Sequence, residues 1–134
     1  MSCTKSTYTK QTTDLQTLLS SLSDNNITEL DKEYYFIIPL EGCSTCIKYS
    51  IEFAHKKIYN ENILFIITHY DTKVIKNIFK IEAKNIIIDN KFEASSLGLV
   101  IGSPVLIKVK DKKILNITNL DTSNIKYALS NVGS

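Results

Sequence analysis

The run Tyr34-Tyr35-Phe36-Ile37-Ile38 is aromatic or β-branched at every position. A strand with one wet face alternates apolar and polar side chains, so a run that does not alternate is covered on both faces. It is too short for a helix. It therefore belongs in the middle of a sheet with helices on either side, the arrangement of α/β folds. Asn62-Ile63-Leu64-Phe65-Ile66-Ile67 and Asn85-Ile86-Ile87-Ile88-Asp89 give two more short buried strands of the same kind.

Helical periods separate these strands. Thr13 or Asp14 can cap a helix whose stripe is Leu15, Leu18, Leu19 and Leu22, with Asp24-Asn25-Asn26 as the turn that stops it. After Pro39-Leu40-Glu41-Gly42, Ile47, Ile51, Ala54 and Ile58 recur at helical spacing. They predict a helix from about Cys43 to near Asn60 with that stripe inward. Asp71 caps a helix that turns Val74, Ile75, Ile78 and Phe79 inward, and residues 91–99 read as a turn region. A strand over 103–109 has Pro104 at its entry, and Lys110-Asp111-Lys112 turns it into a second strand over 114–117, an antiparallel hairpin. Asp121 caps a last helix through Ile125, Ala128 and Leu129. Residues 1–12, rich in Ser, Thr and Lys, read as a flexible tether, and residues 13–134 as one domain.

Composition removes several classes of function. A chain of 134 residues, 43% hydrophobic, can bury roughly two thirds of its unfolded surface and needs no disulfide or metal to fold. With 16 basic against 14 acidic side chains and no basic stripe, nucleic-acid binding is not expected. No apolar run is long enough to span a membrane. Neither a phosphate-binding loop nor a dinucleotide fingerprint occurs, and the redox reading below expects no organic cofactor.

The chemistry lies in EGCSTCIK, where Cys43 and Cys46 stand three residues apart at the start of a helix. Unpaired backbone N–H groups and the positive end of the helix dipole favour a thiolate there. Cys43 is the more exposed of the two, and Cys46, one turn in, can reach it across the small polar Ser44 and Thr45. Cys43 can then attack a substrate disulfide, and Cys46 can release the product by attacking the Cys43 sulfur. A zinc site would need two further ligands, and only His55 and His69 exist, so no metal is expected. A buried pair with no function is the plainer alternative. Cys3, far from the pair, is either a stray thiol or the lipid-bearing first residue of a mature bacterial lipoprotein.

The segments YYFIIPLEGCSTCIK, NILFIITH and GSPVLIKVKDKKIL together resemble the thioredoxin-like superfamily, over roughly residues 34 to 129. The resemblance implies a three-layer α/β/α sandwich with a mixed central sheet and a C-terminal β-hairpin plus helix. It makes Cys43 the nucleophile and Cys46 the resolving thiol. It gives Pro104 a cis peptide bond beside them and Ser103 a backbone that receives an extended substrate, with Gly42, Ser44 and Thr45 lining the approach. The chain departs from thioredoxins proper in having Gly42 for a tryptophan, Ser44-Thr45 for Gly-Pro, and Ile37 for a buried aspartate that moves protons. Glu41 is the candidate substitute proton carrier.

The expectation is a thiol-disulfide oxidoreductase that exchanges electrons with a protein thiol or disulfide and with an upstream redox donor or acceptor. The alternative is a non-catalytic binding module stapled by a Cys43–Cys46 disulfide. An extracytoplasmic location is favoured, with membrane attachment only through lipid on Cys3.

Overall fold

Every residue of β1 (Tyr34–Pro39) and of β2 (Ile63–Thr68) is buried, as two apolar runs without alternation require. In the computed structural model, which describes residues 8–23, 29–79 and 83–132, β1 is the central strand of a five-stranded sheet. The sheet also contains β3 (Ile86–Asp89), β4 (Val105–Lys110) and β5 (Lys113–Asn119), in the order β3-β2-β1-β4-β5. β1, β2 and β3 run parallel, while β4 is antiparallel to both β1 and β5, so the sheet is mixed. Five helices accompany it among the described residues: α1 (Thr9–Leu22), α2 (Ser44–Lys56), α3 (Thr72–Ile78), α4 (Glu93–Ser96) and α5 (Ile125–Ser130).

The period-2 geometry of the strands divides the core in two. Phe36, Ile38, Phe65 and Ile67 face one way and pack with Phe53 of α2, Ile75 of α3, and Ile125 and Leu129 of α5. Tyr35, Ile37, Leu64 and Ile66 face the other way, against Leu15, Leu18 and Leu19 of α1 and Ala94 of α4. The three-layer sandwich with a C-terminal hairpin and helix is thus the observed architecture. Tyr35 is buried, its hydroxyl accepts from the Lys32 N–H at 3.1 Å, and burial pushes its pKa up to about 12.

Several local expectations shift. The buried face of α2 is Cys46, Ser50, Phe53 and Ala54, whereas Ile47 and Ile51 are only half-buried. The helix is turned by about one residue because Phe53 meets Phe36 and Phe65 at ring separations of 5.8 and 6.1 Å, a larger apolar payload than an isoleucine supplies. That rotation takes Cys46 into the core. α1 begins at Thr9, ahead of the expected cap, and Asp14 pairs with Lys10 at 2.6 Å one turn back. Thr12, on the same early turn, accepts the Ile114 N–H at 3.2 Å. Asp71 does cap α3, accepting the Lys73 N–H at 3.0 Å. Asp121 acts one turn earlier than expected: its carboxylate holds the Ser123 and Asn124 N–H groups, and the N-cap position of α5 itself is Asn124. The Ser123 hydroxyl and these N–H groups pull the Asp121 pKa below the usual carboxylate range. α4 forms inside the stretch read as a turn.

The β4–β5 hairpin closes through Asp111 and Lys112, with φ of 54° and 65°. Two central residues at positive φ make a type I′ turn, whose twist matches the flanking strands. Among the described residues no helix is long and apolar enough to cross a membrane.

Candidate active site

The chain leaves β1 at Pro39, and the Leu40 N–H still pairs with the Thr68 carbonyl at 3.1 Å. The backbone turns through Glu41 and Gly42 into α2, whose N-cap residue is Cys43. The Cys43 carbonyl accepts the Ile47 N–H at 2.9 Å, and its sulfur accepts the Cys46 N–H at 3.2 Å. Cys43 therefore does with sulfur what serine or aspartate does with oxygen at a helix start. Cys43 and Cys46 are joined as a disulfide, with their Cα atoms 5.3 Å apart. Cys46 is wholly buried in the α2 side of the core, while Cys43 is partly exposed.

Beside the disulfide lies the loop that precedes β4. Gly42 has φ +120°, and a Cβ placed on it would overlap the Gly102 carbonyl oxygen and stand 3.1 Å from the Gly102 carbonyl carbon. Glycine is required on both counts. Through this contact Gly102, in the loop that leads to Pro104, is laid against the cysteine loop. Pro104 is buried, and its carbonyl accepts the Leu120 N–H at 2.8 Å. The Ser103–Pro104 bond is trans, since no described peptide bond is cis. This corrects the isomer implied by the family resemblance; trans is the lower-energy form of an X-Pro bond by about 0.5–1 kcal/mol unless packing holds the other.

The same loop is fixed from upstream. Asp89, completely buried at the end of β3, accepts the Glu93 N–H on Oδ1 and the Ala94 N–H on Oδ2, both at 2.9 Å. α4 then ends in a Schellman turn: Gly98, at φ +76°, donates to Ser95 and Leu99 donates to Ala94. Leu99 and Val100 are buried next, and Ile101 emerges 83% exposed beside Gly102.

Ser44 and Thr45 are exposed on the first turn of α2, next to the partly exposed Cys43. Glu41 is exposed and makes no hydrogen bond or ion pair with a described residue. Ile37 belongs to the core on the α1 side, so it lies across the sheet from Cys46. Cys3 lies outside the described residues. The His55 Nε2 is 2.8 Å from the Ile78 carbonyl, and the His69 Nδ1 accepts the Asp71 N–H at 3.0 Å. Among the described residues no group of three or more His, Cys, Asp or Glu side chains converges on a point that could hold a metal.

Sequence reasoning missed three residues at this end of the sheet. Ile101 carries no signal beyond an apolar side chain in a turn-rich stretch. Tyr70, 65% exposed, stacks on His69 at 4.7 Å just after β2. Asp89 reads in the sequence as the polar end of a strand, and only the fold brings α4 onto it.

The sequence matches no family model, and a search of curated proteins gives no match. Solved structures do resemble the chain. One is described as thiol:disulfide interchange protein DsbE from Chlorobium tepidum, with TM-score 0.47 and 15% identity over 72% of this chain and 74% of that one. Another is a peroxiredoxin-like protein from Aquifex aeolicus, with TM-score 0.47 and 12% identity over 76% of this chain and 74% of that one. A third is a thioredoxin-like protein from Bacteroides caccae, with TM-score 0.43 and 19% identity over 75% of this chain and 41% of that one. Three parallel strands continued by an antiparallel hairpin, with paired cysteines heading the helix after the central strand and a buried proline opening the hairpin, make this fold thioredoxin-like.

Proposed function

We propose that the protein is a thiol-disulfide oxidoreductase that exchanges two electrons with a protein dithiol or disulfide through Cys43 and Cys46. The observation that carries this reading is the asymmetry of the pair: a partly exposed sulfur at the N-cap of α2, bonded to a wholly buried one a turn behind. In the oxidised form a substrate thiolate attacks the Cys43 Sγ, the Cys43–Cys46 bond breaks, and Cys46 leaves as a thiolate that takes up a proton. The substrate's second thiolate then attacks its own sulfur in the mixed disulfide. Cys43 departs as a thiolate, stabilised by the Cys46 N–H and the positive end of α2. The substrate has lost two electrons and the protein has gained them. The reverse sequence reduces a substrate disulfide, and a separate donor or acceptor resets the pair.

Gly42, Ser44, Thr45 and the Ser103 backbone are proposed to border the substrate, Pro104 to hold the loop beside the sulfurs, and Glu41 to carry the proton. Cys3, followed by Thr4, Lys5 and Ser6, supports a further proposal, an extracytoplasmic domain anchored by lipid on that cysteine. Mass spectrometry of the protein from a lipoprotein-processing host tests it directly.

The test of the main reading is turnover of a peptide disulfide together with the reduction potential of the pair. Cys43→Ser is expected to abolish turnover while the protein stays folded. A potential near about −270 mV marks a reductant and one near about −120 mV an oxidant. The staple reading takes its support from the burial of Cys46 among apolar side chains. It predicts thiols that stay inert toward peptide disulfides.

A further inference from the structure

We infer that Asp89 is a positioning residue for substrate exchange, acting through α4 on the loop that borders the cysteines; the inference rests on the oxidoreductase reading and concerns the same site. Asp89 is a fully buried carboxylate whose two oxygens accept the Glu93 and Ala94 N–H groups. A buried carboxylate that holds two backbone donors is costly to replace, since each freed donor is left without water.

What Asp89 holds is short. α4 has four residues, too few to persist without its cap and its packing. Its far end is the Schellman turn at Gly98, followed by the buried Leu99 and Val100 and then by the Gly102 carbonyl against Gly42. From Asp89 to Gly42 the path is continuous: carboxylate, helix, turn, two core side chains, carbonyl. β3 supplies the fixed end, because its register with β2 pairs Thr68 with Asp89, and the Asp89 carbonyl also accepts the His69 N–H at 3.2 Å. The segment from 89 to 104 is thus pinned to the sheet at both ends, at Asp89 and at Pro104, and meets the cysteine loop between them.

A small thiol reaches Cys43 without using this loop. An extended peptide runs alongside Gly102 and Ser103 and needs them in place. Releasing α4 therefore weakens peptide exchange and spares exchange with a small dithiol.

The experiment compares second-order rates for the full chain with dithiothreitol and with a peptide disulfide, in the wild type, Asp89→Asn and Gly98→Ala. Asparagine keeps one acceptor and puts an N–H₂ where the other oxygen stood. Gly98→Ala meets no neighbour within 4 Å and strains only the backbone of the turn, so it loosens the same strap without touching Asp89. Leu129→Ala, in α5, is the control for lost stability. The expected result is a fall of about tenfold in the peptide rate for Asp89→Asn and a smaller fall for Gly98→Ala, with the dithiothreitol rate unchanged within about twofold. The amide resonances of Gly42 and Gly102 shift in both variants, and Leu129→Ala splits neither rate. Equal falls in both rates, or wild-type peptide rates with unmoved Gly42 and Gly102 resonances, would overturn the positioning role. A wild-type protein that reacts with dithiothreitol but with no peptide overturns the proposed function itself, and this inference with it.

Discussion

Cys43 and Cys46 differ by one turn of helix, and that turn gives them different surroundings. The first is met by solvent and by the Cys46 N–H, and the second by the side chains of the core. Between them and the loop that precedes β4 stands Gly42, where the backbone adopts φ +120° and the Gly102 carbonyl leaves no room for a Cβ. Gly42→Ala is therefore expected to destabilise the oxidised protein by about 2–3 kcal/mol, combining backbone strain with overlap against a carbonyl that cannot rotate away. Urea unfolding of the oxidised variant checks this, and a loss under about 0.5 kcal/mol would show that the two loops are not in contact. The cysteine spacing was legible in the sequence because it is local. The role of Gly42 as a contact surface for Gly102 was not, because the 59 residues between them must fold before the two meet.

Elements were legible wherever a periodic pattern decided them alone. β1, β2 and β3 follow from runs without alternation, and the hairpin from its charged turn between two apolar runs. The phase of α2 was not, because isoleucine at 47 and 51 and phenylalanine at 53 suggest faces about one residue apart. Contact with Phe36 and Phe65 across the core chooses between them. α4 is not legible because four residues carry no period, and its cap stands at the end of a strand. The hairpin turn offers an element-scale test. Lys112 sits at φ 65°, a region that costs an L-residue about 1–2 kcal/mol, whereas glycine there loses chain entropy and the exposed Lys112–Glu29 pair, which contributes little. Lys112→Gly should raise stability by about 0.5 kcal/mol in thermal or urea unfolding. A loss of similar size would show that the ion pair outweighs the turn.

At the scale of the molecule, the central position of β1 places the paired cysteines beyond its C-terminal end, in the middle strand's row of the sheet, where the loop before β4 meets the head of α2 through Gly102 and Gly42. The fold class was legible from the succession of elements. The strand order and the strap from Asp89 depend on contacts between distant segments. In the proposed function Cys43 is the attacking and attacked sulfur and Cys46 the one that resolves. The most direct test of these roles is trapping: Cys46→Ser and Cys43→Ser are each incubated with a peptide disulfide, and adducts are located by mass spectrometry after digestion. A stable mixed disulfide is expected on Cys43 in Cys46→Ser, and little or none on Cys46 in Cys43→Ser. Adducts on neither cysteine, or a faster adduct on Cys46, would contradict these roles.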